Sequence, residues 1–212
     1  MGFGWVSQGL KLAVYTESFI YSNPYGGLGR AMLTLRDYQR EALNAWRAGG
    51  CYGAVVMPTG TGKTYLGLEA IREELEAGGR AAVVVPTIAL AHQWRRRVQG
   101  CLGLFTGLYC NEERSLARAT VFVVNSAYLN MYVLNTFTLA VIDETHHLGA
   151  PRWSTLLRSL RGRRVLGLTA TPERCPLPVI YQMGVSSGQA AQGGGGRGYK
   201  ARLRPAERRG VG

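Results

Sequence analysis

The chain has 212 residues, 46% of them hydrophobic, and a formal net charge of +12 from 25 basic and 13 acidic side chains. That length builds one α/β core with residues left for tails, and the basic excess excludes an acidic solubilising chain and favours a polyanionic partner. The four cysteines (Cys51, Cys101, Cys110, Cys175) lack CxxC spacing, which argues against a zinc module or a disulfide scaffold, and no apolar run reaches the ~18 residues of a membrane-spanning helix.

Residues 1–31 are rich in glycine and aromatics (Phe3, Trp5, Tyr15, Phe19, Tyr21, Tyr25). Leu10, Leu12 and Val14 alternate as in a strand, and residues 22–27 read as a turn. This segment is assigned to no domain. Without a signal-peptide pattern at its start, the chain is expected to be cytoplasmic, or nucleoid-associated in a prokaryote, with reduced thiols and no membrane partner.

From residue 32 the pattern changes. The apolar run Ala54–Met57 predicts a strand leading into Pro58-Thr59-Gly60-Thr61-Gly62-Lys63-Thr64, and Tyr65–Ala77 has helical periodicity. A phosphate site needs glycines that let N–H groups curl around oxygens and a helix N-terminus for positive potential. It also needs a lysine for the β/γ charge and a hydroxyl for Mg²⁺. Residues 58–64 supply all four in strand–loop–helix context, although Met57 stands where the strict GxxxxGK[ST] pattern wants glycine. Further strands are predicted at Ala81–Val85, Val121–Val124, Leu139–Ile142 and Val165–Leu168, with helices at Ile88–Val98 and Arg152–Leu160. Strands apolar on both faces that alternate with helices imply a mainly parallel sheet covered on both sides.

The strand at Leu139–Ile142 runs into Asp143-Glu144-Thr145-His146-His147. Carboxylates there sit at the carboxyl edge of the sheet, where ligands of α/β proteins bind. Asp143 is assigned to Mg²⁺ and Glu144 to the attacking water. His146 suits contact with the nucleotide site better than metal ligation, because no third ligand is evident. Thr169 and Thr171, after the strand Val165–Leu168, are placed to relay hydrogen bonds between the acidic pair and another ligand. Beyond Arg174 come Pro176, Pro178 and Gly193–Gly196, then a basic end with almost no bulky apolar side chains. Residues 175–212 are therefore expected to form a low-complexity Gly/Arg-rich tail, basic and disordered from Gly184 onward.

Taken in order, five stretches resemble the first motor domain of a superfamily-2 helicase of the DExH type. They are Leu35–Leu43, Pro58–Thr64, Val85–Thr87 with Gln93-Trp94, Asp143–His146, and Thr169–Thr171. LRDYQREAL, DETHHL, SAYLN (Ser126–Asn130) and LGLTATPER are most similar to the xeroderma pigmentosum type B helicases and their archaeal relatives. The resemblance covers residues 33–174 and implies a three-layer RecA-like P-loop fold over 32–174. It implies an ATP-dependent DNA helicase or translocase of the kind that serves DNA repair, with ATP and Mg²⁺ as cofactors. It further implies that Gln39 and Arg36 recognise adenine and that Pro86, Thr87 and Ser126 touch the nucleic-acid backbone, on DNA with RNA left open. Such motors hydrolyse ATP against a second RecA-like domain. No QxxGRxxR arginine motif occurs in these 212 residues, so that domain is expected on another chain or missing from this product. The alternative is a nucleic-acid-binding module that binds ATP without turning it over alone. A small-molecule kinase is disfavoured by the DETHH stretch.

Overall fold

The structure is a computed structural model, which describes residues 34–143, 150–172, 175–185 and 199–203. The segment 1–31, the stretch containing Glu144 and His146, and most of the basic tail lie outside the described residues.

The elements are α1 (Asp37–Ala48), β1 (Tyr52–Val56), α2 (Lys63–Glu76), β2 (Ala81–Val85), α3 (Ile88–Leu102), β3 (Thr106–Tyr109) and β4 (Ala119–Val123). They continue with α4 (Val124–Leu129), α5 (Met131–Leu134), β5 (Leu139–Asp143), α6 (Ala150–Ser159), β6 (Arg164–Thr169), β7 (Val179–Val185) and β8 (Tyr199–Leu203). One eight-stranded sheet has the order β3-β4-β2-β5-β6-β1-β7-β8. Every pairing is parallel except β7 with β8.

Each central strand sorts its residues between two cores, as the two-residue period of a strand requires. Val83 and Val85 of β2 pack with Leu43, Trp46, Ile71 and Trp94 of α1, α2 and α3 on one face. Ala82 and Val84 pack with Phe122, Leu134, Phe137 and Leu156 on the other. The expected three layers are thus present. Helix α1 buries Ala42, Leu43 and Trp46 at helical spacing, and the Trp46 indole donates to the Val165 carbonyl at 2.8 Å. Helix α3 starts at the Thr87 side chain, which accepts from Leu90 N, and stops at Gly103 in the left-handed region. No helix among the described residues is long and apolar enough to cross a membrane.

The sheet runs past the boundary expected at residue 174. β7 lies parallel to β1, with Ile180, Tyr181 and Met183 buried. β8 pairs with it from Tyr181↔Leu203 to Val185↔Tyr199. The low-complexity-tail expectation is therefore corrected for 179–185 and 199–203, and the expected disorder for 184–185 and 199–203. Composition averaged over residues 175–212 hides the run Val179-Ile180-Tyr181, whose apolar side chains find cover only beside β1 and α1. The Tyr181 hydroxyl donates to Glu41 of α1 at 3.4 Å.

Candidate nucleotide and metal site

The loop at 58–64 connects the end of β1 to the start of α2, as its spacing predicts. Gly60 and Gly62 have φ of +82° and +83°, a region that side chains other than glycine adopt only at a cost. At Gly62 the need is doubled, because a Cβ there would stand 2.6 Å from Gln39 Nε2. Thr61 turns inward and its hydroxyl donates to the Pro58 carbonyl at 2.7 Å. Lys63 Nζ donates to the carbonyls of Met57 (2.9 Å) and Pro58 (3.3 Å), so the ammonium lies over its own loop at the N-terminus of α2. Thr59 and Gly60 are exposed at the mouth.

The acid reaches the same edge of the sheet from a neighbouring strand. β6 lies between β5 and β1, with Asp143 in register with Leu168 and Val56 with Thr169. At the ordinary spacing of ~4.8 Å between strands, β5 and β1 stand ~10 Å apart across β6. Met57 N donates to the Thr169 carbonyl at 3.0 Å, fixing where the loop departs. Asp143 is buried and its Oδ2 accepts from the Trp94 indole of α3 at 2.7 Å. The indole passes over Gly67 of α2, where a Cβ would meet Trp94 Cη2 at 2.7 Å, so only glycine lets Trp94 reach the acid. Glu144 and His146 lie outside the described residues.

Thr169 is buried, and its hydroxyl accepts from Thr171 N at 3.2 Å and donates to Thr171 O at 3.3 Å. The Thr171 hydroxyl oxygen is buried without a partner among the described residues. The two threonines form one closed turn between the loop and the acid.

Thr64 and Asp143 offer a hydroxyl and a carboxylate, hard oxygens of the kind Mg²⁺ takes, one or two at a time, beside phosphate oxygens and water. The donor chemistry fits that ion. The Thr64 hydroxyl accepts from Arg97 Nη1 of α3 at 2.7 Å. Burial pushes the Cys101 thiol up, against the opposing pull of the Arg97 guanidinium.

Gln39 is buried, and both its amide functions are engaged locally. Nε2 donates to the carbonyls of Thr61 (3.0 Å) and Gly62 (3.2 Å), and Oε1 accepts from Arg36 N at 2.8 Å. Tyr38 adds a third tie, its hydroxyl donating to the Thr61 carbonyl at 3.0 Å and accepting from Arg36 Nη1 at 3.1 Å. In this structure, Gln39 anchors the loop. Pro86 and the exposed Thr87 follow β2 at the same carboxyl edge. Ser126 is buried in α4 with its hydroxyl donating to Asn111 Oδ1 at 3.4 Å. Its neighbour Asn125 is the exposed one.

Trp94, Arg97 and Tyr38 were not read from the sequence as site residues. Trp94 sits at an apolar position of an amphipathic helix and reads as core. Arg97 is the last of three consecutive arginines and reads as solvated charge. Trp94 and Tyr38 fall within the stretches that carry the family resemblance, and Trp94 and Arg97 lie three residues apart, on one helix face.

Residues 32–174 match the family described as type III restriction enzyme, res subunit. The chain is 39% identical over 159 residues to the DNA 3'-5' translocase XPB2 of Sulfurisphaera tokodaii, covering 74% of this chain and 35% of the relative. It is 32% identical over 149 residues to the DNA 3'-5' helicase XPB of Mycobacterium tuberculosis, covering 65% of this chain and 26% of that one. Among solved structures, the Hef helicase domain of Pyrococcus furiosus superposes with a TM-score of 0.57 at 22% identity, over 69% of this chain and 35% of that one. The UvsW helicase of bacteriophage T4 gives 0.56 at 19% identity, over 65% and 53%. The structural likenesses establish the fold. The chain spans about a third of the length of the curated relatives it matches.

Proposed function

Because the chain belongs to the family of the type III restriction enzyme res subunit, we propose that it is the ATP-binding domain of a DNA helicase or translocase. The observation that carries this reading is the three-strand edge β5-β6-β1, which brings the Asp143 carboxylate and the Gly60–Thr64 loop to opposite sides of Thr169. The N-terminus of α2 and the loop amides attract the β- and γ-phosphates, and Lys63 moves from its loop carbonyls onto their charge. Thr64 and Asp143 would hold Mg²⁺, which would supply charge neutralisation for the phosphate oxygens during in-line displacement. Glu144, next in the chain to Asp143, orients the attacking water. Trp94 fixes the rotamer of Asp143, and Gln39 and Tyr38 hold the loop closed. Arg36 and Gln39 flank the base, and His146 completes the nucleotide site.

Pro86, Thr87 and the Asn125–Ser126 stretch at the start of α4 are proposed to meet the backbone of DNA. Contacts of that kind are sequence-independent and salt-sensitive. Turnover with strand movement requires a second RecA-like domain to close on this edge and supply arginines. Thr169 and Thr171 report the state of the site between the two.

The test is Lys63→Ala, expected to abolish ATP binding in a fluorescence titration. Glu144→Gln should keep binding and lose hydrolysis. Normal ATP binding by Lys63→Ala removes the loop from the mechanism. A second reading is a module that binds ATP and nucleic acid but does not hydrolyse alone. DNA-stimulated phosphate release by the chain by itself eliminates it.

A further inference from the structure

Successive turns of α3 engage the two oxygens assigned above to the metal. Trp94 Nε1 donates to Asp143 Oδ2, and Arg97 Nη1 donates to Thr64 Oγ1, each at 2.7 Å. The neighbouring Arg95 is tied to Glu113 and the Thr106 carbonyl, and Arg47, Arg72 and Arg164 each pair with a carboxylate. Arg97 has no carboxylate partner among the described residues. Its described partner is a neutral hydroxyl, and its side chain is exposed. A guanidinium carries five N–H donors in a planar fork that matches phosphate oxygens. With one donor on Thr64, the others remain for a ligand.

We propose that Arg97 is a nucleotide-binding residue that stands in for the metal. Its guanidinium, held at the Thr64 hydroxyl, binds the terminal phosphates while magnesium is absent and gives up that hydroxyl when the ion arrives. The proposal rests on the reading of residues 58–64 as the phosphate loop. A fixed positive charge beside a cation position attracts polyphosphate and repels the ion. Arg97 therefore strengthens binding of metal-free ATP and raises the magnesium concentration at which the site fills. α3 begins at Thr87, so the helix carrying Arg97 and Trp94 also carries the proposed nucleic-acid contact.

The experiment titrates the full chain with N-methylanthraniloyl-ATP in EDTA and again in saturating magnesium, for the parent chain, Arg97→Ala, Arg97→Lys and Lys63→Ala. Arg97→Ala should weaken binding in EDTA by roughly tenfold, the size of one charge-assisted hydrogen bond, and change it by less than about twofold in magnesium. Its magnesium midpoint, read on the bound nucleotide, should fall. Arg97→Lys keeps the charge without the fork and should lie between. An unchanged ratio of the two affinities in Arg97→Ala, or an equal loss in both conditions, overturns the proposal. Lys63→Ala separates the two levels of failure. If it loses ATP in both conditions while Arg97→Ala leaves the ratio intact, the loop stands and the role of Arg97 falls. If it binds ATP normally, the loop reading itself fails.

Discussion

Replacing Trp94 with Phe removes one hydrogen bond from the acid at the end of β5 and leaves the rest of that acid's surroundings in place. Trp94 is 2% exposed and Asp143 8%, so the lost donor is not replaced by bulk water. A hydrogen bond to a charged group contributes ~1.5–3 kcal/mol. The void that the smaller ring leaves over Gly67 adds ~1 kcal/mol, for a total of ~2.5–4 kcal/mol. With a urea slope of ~2 kcal/mol/M, the unfolding midpoint should fall by ~1–2 M with the slope unchanged. The void and the hydrogen bond are separated by a double-mutant cycle with Asp143→Asn, in which the pair should show a coupling of at least ~1 kcal/mol. A coupling below ~0.5 kcal/mol would mean that the indole packs beside the carboxylate without holding it, and the positioning role assigned to Trp94 would be refuted.

Gly62→Ala meets both a φ of +83° and the Gln39 amide at 2.6 Å. It should destabilise the chain by ~1–2 kcal/mol from the backbone alone and weaken ATP binding by displacing Gln39, whereas Gly78→Ala, also at positive φ but with open space around it, should lose stability and keep ATP affinity. Burial and the Glu41 carboxylate push the Tyr181 phenol up to about 12 from 10.0. Its folded-state value lies above the unfolded one, so its contribution is complete below pH 10 and is lost as pH rises through 12. Urea midpoints across that window should decline less steeply in Tyr181→Phe, and parallel declines would contradict the assignment. DNA binding by this chain of net charge +12 should weaken log-linearly with salt and should not distinguish DNA sequences.

Five of the eight described strands are legible as apolar runs because their central residues are buried on both faces. β3 was not, since Thr106-Gly107-Leu108-Tyr109 has a glycine at its centre and gains its identity from pairing with β4. β7 was hidden between Pro178 and the glycine-rich stretch, and only its place beside β1 explains why Ile180 and Tyr181 are buried. In the site, the loop and Asp143 could be read directly, because phosphate and metal chemistry constrain residue type and spacing locally. Gln39 could be found only by resemblance, and its hold on the Thr61 and Gly62 carbonyls depends on how α1 crosses the loop. Arg97 and Trp94 reach Thr64 and Asp143 across 33 and 49 residues of sequence. No local pattern encodes contacts of that range.

Whether the glycine loop and the acid serve a single ion is decided by counting Mn²⁺ bound to the ATP-loaded chain by electron paramagnetic resonance, for the parent, Thr64→Val, Asp143→Asn and the double variant. Each single substitution should raise the Mn²⁺ midpoint by at least ~tenfold. The double variant should lose much less than the product of the two, as expected for neighbours sharing one ligand. Retention of parent-like Mn²⁺ affinity by either single variant would show that Thr64 and Asp143 do not meet at one metal.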